Sequence, residues 1–379
     1  MSKSDRVNMN HHTQLNDLFL VLHPKDNVAI AKKNLDQGTE IQLEKSKHIV
    51  LRSAIPAGHK IALYPIRYNE LVLRYGQVIG SASLDINSGD HVHVHNLKAS
   101  KNIDPSAFQL RGEPVDVVPD EERKMFMGYK RPDGRVGTRN YVAVISTVNC
   151  SAHTSRLIAQ HFSPEILEAF PNVDGVISLV HPYGCTGSVN SPDYALLQRT
   201  LTGMVHHPNI GDCILVGLGC ETNQASDILE NCSLCYKESL LQGSPEILLI
   251  QSLGGVRKTV EAGIKAVNEL VQKANKEIRT PQPVSELMLA LQCGGSDAWS
   301  GVTANPVVGL TVDELVRQGG TFVLGETPEI YGAEHLLLRR AVNTETADNL
   351  KAMLEWWQDY AGRMGVELDD NRSVGNEAG

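Results

Sequence analysis

The sequence predicts a two-domain protein in which a small β-rich module precedes an α/β domain with a mostly parallel sheet. Residues 17–97 contain short apolar runs that are separated by turn-forming residues and show little helical periodicity. From Gly128 onward, apolar runs alternate with amphipathic segments, which is the pattern of parallel strands covered by helices on both faces. Residues 98–127 are polar and proline-marked, as expected of a linker.

The N-terminal module is predicted to be a β-clip-like unit of short strands. In chain order these are Val28–Ala31, His48–Leu51, a strand entered from the turn in Ile55–Leu63, Leu71–Gly80 and His91–His95. On the last strand His91, His93 and His95 alternate with valines, so the three imidazoles are expected to share one face. Such a face binds a metal or an acidic ligand, or it is simply a solvated polar face.

The α/β domain is expected to extend over residues 128–379. Its predicted strands are Asn140–Ser146, Gly175–Val180, Cys213–Gly217, Glu246–Ile250, Leu287–Leu291 and Thr321–Leu324. Its predicted helices are Thr154–His161, Tyr194–Met204, Val256–Asn275, Val312–Gln318 and a final helix at Glu345–Gly365.

Charge and composition exclude several classes of function. The formal net charge is −9, whereas a nucleic-acid-binding surface needs a basic face to neutralise phosphates. No apolar run approaches the roughly 20 residues of a membrane-spanning helix, and the first ten residues lack an apolar segment of the signal-peptide type. We therefore expect a cytoplasmic protein that binds a small molecule, with neither nucleic acid nor membrane as a partner.

Four of the seven cysteines follow predicted strands: Cys150, Cys185, Cys220 and Cys293. Because ligands bind outside the carboxyl ends of parallel strands, we expect these thiols to converge on one crevice. Thiolates beside imidazole and carboxylate groups suit a soft or borderline metal such as iron or zinc, although the wide spacing does not fit a zinc ribbon. The alternative is that these residues form tight turns beneath a ligand and bind nothing themselves.

Ionisable residues near these turns are candidates for proton transfer and for binding a carboxylate. His181 and Glu221 follow two of the strands, although a single loop histidine or glutamate is more often structural. Lys60 makes the turn at Gly58–Lys60 a cationic position. Arg135 and Arg139, before the first strand, either clamp a carboxylate through paired hydrogen bonds or form a solvated surface turn.

Long motifs occur in order from about residue 17 to the end of the chain. They are Asp26–Ala29, Gly58–Lys60, Tyr75–Gly76, Ile79–Gly80, His91–Asn96, Asp133–Asn140, Tyr183–Cys185, Gly217–Glu221, Gln292–Asp297, Ser300–Pro306 and Glu326–Glu334. Through these motifs the chain resembles the altronate and galactarate dehydratase family of hydro-lyases. Its N-terminal module resembles the SAF domain of that family.

The resemblance implies dehydration of a sugar acid, stimulated by ferrous iron, to a 2-keto-3-deoxy acid. The motif His91–Asn96 is more similar to the altronate branch than to the galactarate branch. The related sulfolactate sulfo-lyase carries its SAF part on a separate subunit, so the fusion seen here favours a dehydratase. Fe²⁺ is the expected cofactor, with another divalent metal or an iron–sulfur cluster as less favoured alternatives, and a homodimer is the expected assembly.

Residues 371–379 depart from the family's motif at the place where its members continue into a further α/β region. Arg372, Val374 and Glu377 replace two prolines and a lysine. We therefore expect a C-terminally shortened chain, either a fragment or a naturally shorter protein. A non-catalytic paralogue that binds a sugar acid is the alternative to an enzyme.

The implied reaction takes a proton from C2 and expels the hydroxyl from C3, which requires a base, an acid and a carboxylate clamp. Proton transfer is expected from His181, Glu221 and Asp297. Substrate binding is expected from His59, Lys60, Arg135, Arg139, Ser296 and Asn305. The expected metal ligands are Cys150, Cys185, Cys220 and Cys293, with His93 and His95 as alternatives.

Overall fold

The structure, a computed structural model, describes residues 13–44, 47–98, 114–235, 245–294, 299–366 and 368. The chain divides into two compact units. The first unit contains the described residues up to Asp116, those of Leu289–Glu314 and those from Phe322 onward; the second contains those of Val117–Met288 together with Leu315–Thr321. Residues 99–113 of the predicted linker and the motif at 371–379 lie outside the described residues.

The N-terminal part of the first unit is built almost entirely of short β-strands, as predicted. The strands are Thr13–Gln14, Phe19–Leu20, Val28–Ala31, Glu40–Glu44, Lys47–Val50, Lys60–Ala62, Leu71–Arg74, Gln77–Ala82, His91–Val92 and Leu97–Lys98, with one helical turn at Leu15–Leu18. They form a four-stranded sheet and two three-stranded sheets. Buried apolar side chains, among them Ile41, Ile61 and Val72, form two core clusters beneath these sheets.

The predicted strand Leu71–Gly80 is instead a β-hairpin. Tyr75 and Gly76 form the turn between its two arms, Leu71–Arg74 and Gln77–Ala82. Both turn residues have a left-handed backbone, with φ of 56° at Tyr75 and 65° at Gly76. A two-residue type I′ turn requires this conformation, which a bulky residue such as tyrosine seldom adopts. The turn was therefore not recognised from the sequence.

The predicted strand His91–His95 ends at Val92. Asn96 Oδ1 accepts a hydrogen bond from the backbone N of His93 at 3.0 Å, and Asn96 Nδ2 donates to the carbonyl of His91 at 2.9 Å. The amide side chain thereby satisfies backbone groups that a strand would have paired, and the chain turns. The prediction that the three histidines share one strand face is therefore wrong.

The second unit contains the predicted parallel sheet. Its strand order is Gly175–Leu179, Tyr141–Ser146, Ile210–Gly217 and Glu246–Leu249, and all three pairings are parallel. A small antiparallel sheet and four helical turns accompany it. Their bounds are Met125–Lys130, Val136–Gly137 and Thr280–Pro283 for the strands, and Asp120–Glu122, Pro164–Leu167, Ile250–Leu253 and Val284–Glu286 for the turns.

Helices cover both faces of the parallel sheet, as predicted. Alternate residues of the central strand Tyr141–Ser146 point to opposite faces. Its even-numbered valines pack in a core with helices Asn149–His161 and Val256–Ala274. Its odd-numbered residues pack in a second core with helices Pro192–Val205 and Ala225–Cys235. The predicted fold class, a β-rich SAF-like part followed by an α/β region with a parallel sheet, is confirmed.

Strands Met288–Leu291 and Thr321–Leu324 form a separate two-stranded sheet, although the sequence placed them in one sheet with the others. An apolar run identifies a strand without specifying which sheet the strand joins. The predicted helix Val312–Gln318 begins earlier, as Ala304–Arg317, because Pro306 stands in its first turn, where proline is tolerated. The remaining elements are a 3₁₀ turn at Thr327–Ile330 and two helices, Glu334–Leu338 and Thr344–Arg363. None of the helices in the described ranges has the length and apolar character needed to cross a membrane.

Candidate functional site

Three of the four strand-end cysteines lie at the carboxyl edge of the parallel sheet, Cys185 and Cys220 on loops and Cys150 in the first turn of the helix Asn149–His161. Cys150, Cys185 and Cys220 follow three neighbouring strands, and the first and last of them are exposed. Two of the loops touch, because the backbone N of Thr222 donates to the carbonyl of Cys185 at 3.0 Å. Cys293 belongs to the other unit and follows a strand of the separate sheet. Convergence of all four thiols on one crevice stays a prediction.

Glu221 is a buried carboxylate that accepts hydrogen bonds from its own loop. Its Oε1 accepts from Thr147 Oγ1 at 2.6 Å and from the backbone N of Leu218 at 3.0 Å, and its Oε2 accepts from the backbone N of Gly219 at 2.7 Å. Burial by itself raises the pKa of Glu221, but these hydrogen bonds together lower it more, and the net shift is downward. The side chain is thus an ionised anchor for the loop that carries Cys220.

His181 is half-buried at the end of the neighbouring strand. Its Nδ1 accepts a hydrogen bond from the backbone N of Tyr183 at 3.1 Å. Burial lowers the pKa of His181, against a smaller opposing effect of the backbone at Thr147 and Ser146. The ring is therefore neutral near pH 7.

Arg135 and Arg139 lie at the amino end of the parallel strands. Arg135 Nε donates to Asp133 Oδ2 at 2.6 Å, and its Nη2 donates to the carbonyl of His206 at 2.6 Å. Arg139 Nη1 donates to Asp174 Oδ1 at 3.2 Å. Because ligands of such sheets bind beyond the opposite, carboxyl ends, these contacts favour the alternative of a structural turn.

The first unit contains a cavity of about 870 Å³, a volume in the range of small-molecule sites. The N-terminal strands and the C-terminal part of the same unit both contribute to its wall. Five predicted site residues line it: His59, Lys60, His93, Cys293 and Asn305. Four that the sequence analysis did not select also line it: Arg74, Glu326, Glu329 and Arg340. Ser296 and Asp297 lie outside the described residues.

Four histidines cluster at this end of the N-terminal strands. His59 Nδ1 lies 2.8 Å from His91 Nε2, and the rings of His59, His91 and His93 stack with centroids 5.0 to 5.4 Å apart. The centroid of His95 lies 5.5 Å from that of His91. Burial lowers the pKa of His91 to about 4, and the charges of the other histidines and of Lys60 act in the same direction. The cluster forms although the strand ends at Val92.

Lys60 and Arg74 give the cavity a cationic wall. Burial lowers the pKa of Lys60, and the charge of Arg74 lowers it further. Burial also lowers the pKa of Arg74, while the charges of Tyr75 and Asp26 oppose that shift. Two neighbouring cations on the wall of a cavity suit an anionic ligand.

A thiol and two carboxylates meet at another part of the cavity wall. The ligand atoms of Cys293, Glu326 and Glu329 all lie within 4.8 Å of one another. The backbone N of Cys293 donates to Glu326 Oε2 at 2.6 Å, which fixes that carboxylate beside the thiol. Within the described ranges, no other trio of histidine, cysteine, aspartate or glutamate side chains brings its ligand atoms this close. A soft sulfur with two oxygens is a donor set that fits Fe²⁺ or Zn²⁺.

Sequence reasoning missed both glutamates of this trio, although they stand in a segment that it had singled out. Glu326 and Glu329 flank Thr327-Pro328, at the start of a short 3₁₀ turn. Three residues make one turn of such a helix, so the spacing places both carboxylates on one side. That spacing was the signal available in the sequence.

The fold and the cavity define an α/β protein with an N-terminal β module and a cavity whose wall combines cationic side chains with a thiol and two carboxylates. Three family models match the chain. The altronate/galactarate dehydratase SAF domain matches residues 17–100, the second domain of D-galactarate dehydratase/altronate hydrolase matches 128–275, and the D-galactarate/altronate dehydratase C-terminal model matches 284–379.

Individual relatives agree with these family models. The chain is 34% identical to the altronate dehydratase of Bacillus subtilis (strain 168) over 362 residues, which is 95% of this chain and 70% of the relative. It is 34% identical to the galactarate dehydratase (L-threo-forming) of Escherichia coli (strain K12) over 95% of this chain and 69% of that protein. It is 32% identical to the (2R)-sulfolactate sulfo-lyase subunit beta of Chromohalobacter salexigens over 61% of this chain and 54% of that subunit.

The chain belongs to the altronate/galactarate dehydratase family, which confirms the resemblance drawn from its motifs. It is an enzyme of the hydro-lyase class.

Proposed function

We propose that this chain dehydrates a sugar acid of the altronate type to a 2-keto-3-deoxy sugar acid in the cavity of the first unit. The observation that carries the proposal is the combination, in one cavity, of the cation Lys60 with the thiol–carboxylate trio of Cys293, Glu326 and Glu329. The names of the relatives, altronate dehydratase and galactarate dehydratase, support the type of reaction.

The residues around the cavity supply groups for each part of the reaction. Lys60 binds the substrate carboxylate, and the amide of Asn305 hydrogen-bonds a substrate hydroxyl. Burial lowers the pKa of His93, with Lys60 acting in the same direction, so its imidazole is unprotonated near pH 7 and accepts the proton from C2. The protonated imidazole of His93 returns this proton to the C3 hydroxyl, which leaves as water. The enol product then gains a proton at C3 and loses its hydroxyl proton to become the keto acid.

A divalent metal, with Fe²⁺ as the first choice, fits the trio of Cys293, Glu326 and Glu329 because thiolate and carboxylate donors suit it. When bound there, the metal supplies Lewis-acid stabilisation of negative charge on the substrate. The sequence alone favours an alternative arrangement, in which Cys150, Cys185, Cys220 and Cys293 hold the metal. In that arrangement His181, Glu221 and Asp297 transfer protons.

Galactarate is the second candidate substrate, and Arg340 is the observation that favours it. This arginine lines the same cavity as Lys60 and Arg74. A dicarboxylate carries a negative charge at each end, so a further cation would bind the second carboxylate.

The proposal is tested by incubating the purified chain anaerobically with Fe²⁺ and either altronate or galactarate, and measuring 2-keto-3-deoxy product. Altronate is expected to be turned over faster than galactarate. Cys293→Ser should abolish turnover and Cys150→Ser, which changes an exposed cysteine of the second unit, should preserve it. A loss of turnover in Cys150→Ser would favour the alternative set of ligands. Binding of altronate without product under these conditions would reject the dehydratase and support the non-catalytic binder.

A further inference from the structure

Arg74 carries buried hydrogen-bond donors that no group in the described part of the chain accepts. Its Nε and Nη2 atoms are both buried and have no hydrogen-bond partner among the described residues. The side chain nevertheless lines the cavity beside Lys60. A guanidinium in this state is costly unless an anion completes its bonding, so its position in the cavity wall indicates a ligand.

The nearby Asp26 is already committed to backbone donors. Its Oδ1 accepts from the backbone N of Gly76 at 2.7 Å, and its Oδ2 accepts from the backbone N of His23 at 3.0 Å. Its charge acts on Arg74, but its hydrogen bonds hold the hairpin turn. Asp26 therefore leaves the Nε and Nη2 donors of Arg74 without an acceptor.

The turn that directly follows Arg74 is held in a strained conformation by contacts on two sides. Tyr75 is a non-glycine residue with φ of 56°, and strain of this kind concentrates at functional sites. Its hydroxyl donates to the carbonyl of Gly301 at 3.0 Å, on a loop that also lines the cavity. On the other side, Gly76 packs so closely on His23 that an added Cβ would lie 2.6 Å from the imidazole Nδ1. The turn is thus fixed to the cavity wall.

We propose that Arg74 is, together with Lys60, the carboxylate-binding residue of this cavity, and that Tyr75 is the residue that positions it. The fork of the guanidinium binds both carboxylate oxygens, and the ammonium of Lys60 adds a point charge. The ligand class is a polyhydroxy monocarboxylate. This inference rests on the proposed function and assigns the part of the site that distinguishes an acid from a neutral polyol.

The test measures binding without turnover, in the full chain after removal of metal by chelation and dialysis. Two probes differ only in the carboxylate: D-altronate and the neutral polyol D-altritol. Calorimetry of the unmodified chain should show altronate binding at least tenfold tighter than altritol. Arg74→Met should remove this preference, Arg74→Lys should retain part of it, and Arg67→Met, an exposed arginine of the same module, should leave it unchanged.

Tyr75→Phe keeps the ring and removes the bond to Gly301. It should weaken altronate binding about threefold and leave altritol binding unchanged, because only the carboxylate contact depends on the position of Arg74. A purely structural role would weaken both probes equally.

The inference is overturned if Arg74→Met binds altronate as tightly as the unmodified chain, or if it loses both probes alike. Melting temperatures of the variants show whether a loss of binding is caused by a folding defect. Arg74→Met removes an unpartnered buried cation, so its melting temperature should not fall, whereas a marked fall would mean that Arg74 is structural. A chain that prefers altronate through Arg74 but forms no product would reject the proposed function and leave this inference standing.

Discussion

The buried carboxylate of Glu221 allows the sharpest prediction about stability. Three donors converge on it, namely the hydroxyl of Thr147 and the backbone N–H groups of Leu218 and Gly219. Only 3% of its surface is exposed, so water cannot replace a lost acceptor. Glu221→Gln keeps the shape of the side chain but replaces the oxygen that faces Gly219 with an NH₂ group, which places two donors against each other.

The size of the effect follows from these bonds. A hydrogen bond to a charged group contributes about 1.5–3 kcal/mol, and the glutamine loses one such bond while its other two bonds become neutral. We expect the free energy of unfolding to fall by about 2–4 kcal/mol. The exposed Glu230→Gln should change it by less than about 0.5 kcal/mol, as surface substitutions usually do.

Urea denaturation followed by circular dichroism, at several pH values, measures these differences. The folded pKa of Glu221 lies below its ordinary value of 4.5, so the ionised form stabilises the fold above that pH. The stabilisation is lost as the pH falls through the folded pKa. The difference in the free energy of unfolding between the unmodified chain and Glu221→Gln should therefore be largest at pH 7 and should decrease below about pH 4.5. A variant as stable as the Glu230 control at pH 7 would refute the reasoning.

Three further predictions concern the metal, the histidine cluster and a buried arginine. Cys293→Ser should weaken iron binding about tenfold or more, and Cys150→Ser should not. The iron retained after dialysis measures this effect. Equal retention in both variants would reject the thiol–carboxylate trio as the iron site. NMR should show His91 titrating near pH 4, and titration near 6.5 would contradict the structure. Because its folded pKa is depressed, the neutral form of His91 stabilises the fold above the ordinary pKa of 6.5, and this stabilisation is lost as the pH falls towards 4. His91→Gln should therefore reduce the dependence of the free energy of unfolding on pH between pH 6.5 and pH 4. Arg131→Met should lower the free energy of unfolding by about 3 kcal/mol, because it removes a buried guanidinium that donates to the carbonyls of Pro208 and Arg139 and pairs with the partly exposed Glu277. Urea denaturation measures this, and a fall below about 1 kcal/mol would show that these contacts contribute little.

The α/β region was predictable because its apolar runs and amphipathic segments are long. Tyr141–Ser146 is buried along almost its whole length and reads as a continuous apolar run, which only a sheet covered on both faces accommodates. The helix Val256–Ala274 has a strong apolar stripe and was placed to within one residue. In these segments local pattern and tertiary environment agree.

The cavity was only partly predictable, because its wall depends on turns and on distant pairings. Lys60 and Cys293 were selected for their chemistry, but Arg74 looked like an ordinary strand residue until the hairpin at Tyr75 placed it in the wall. The sequence also did not predict that strand Met288–Leu291 is separate from the parallel sheet. An apolar run does not specify which other strand it pairs with, because strand pairing is a long-range property.

The position of Tyr141–Ser146 at the centre of the parallel sheet has a consequence for the nascent chain. Its two neighbours in the sheet, Gly175–Leu179 and Ile210–Gly217, are synthesised later, and each requires a crossover helix first. Until the ribosome has released the second of them, an apolar strand with unpaired edges is exposed. At a synthesis rate of about 5–20 residues per second, that exposure lasts several seconds. Chaperone binding during translation should therefore concentrate on this strand.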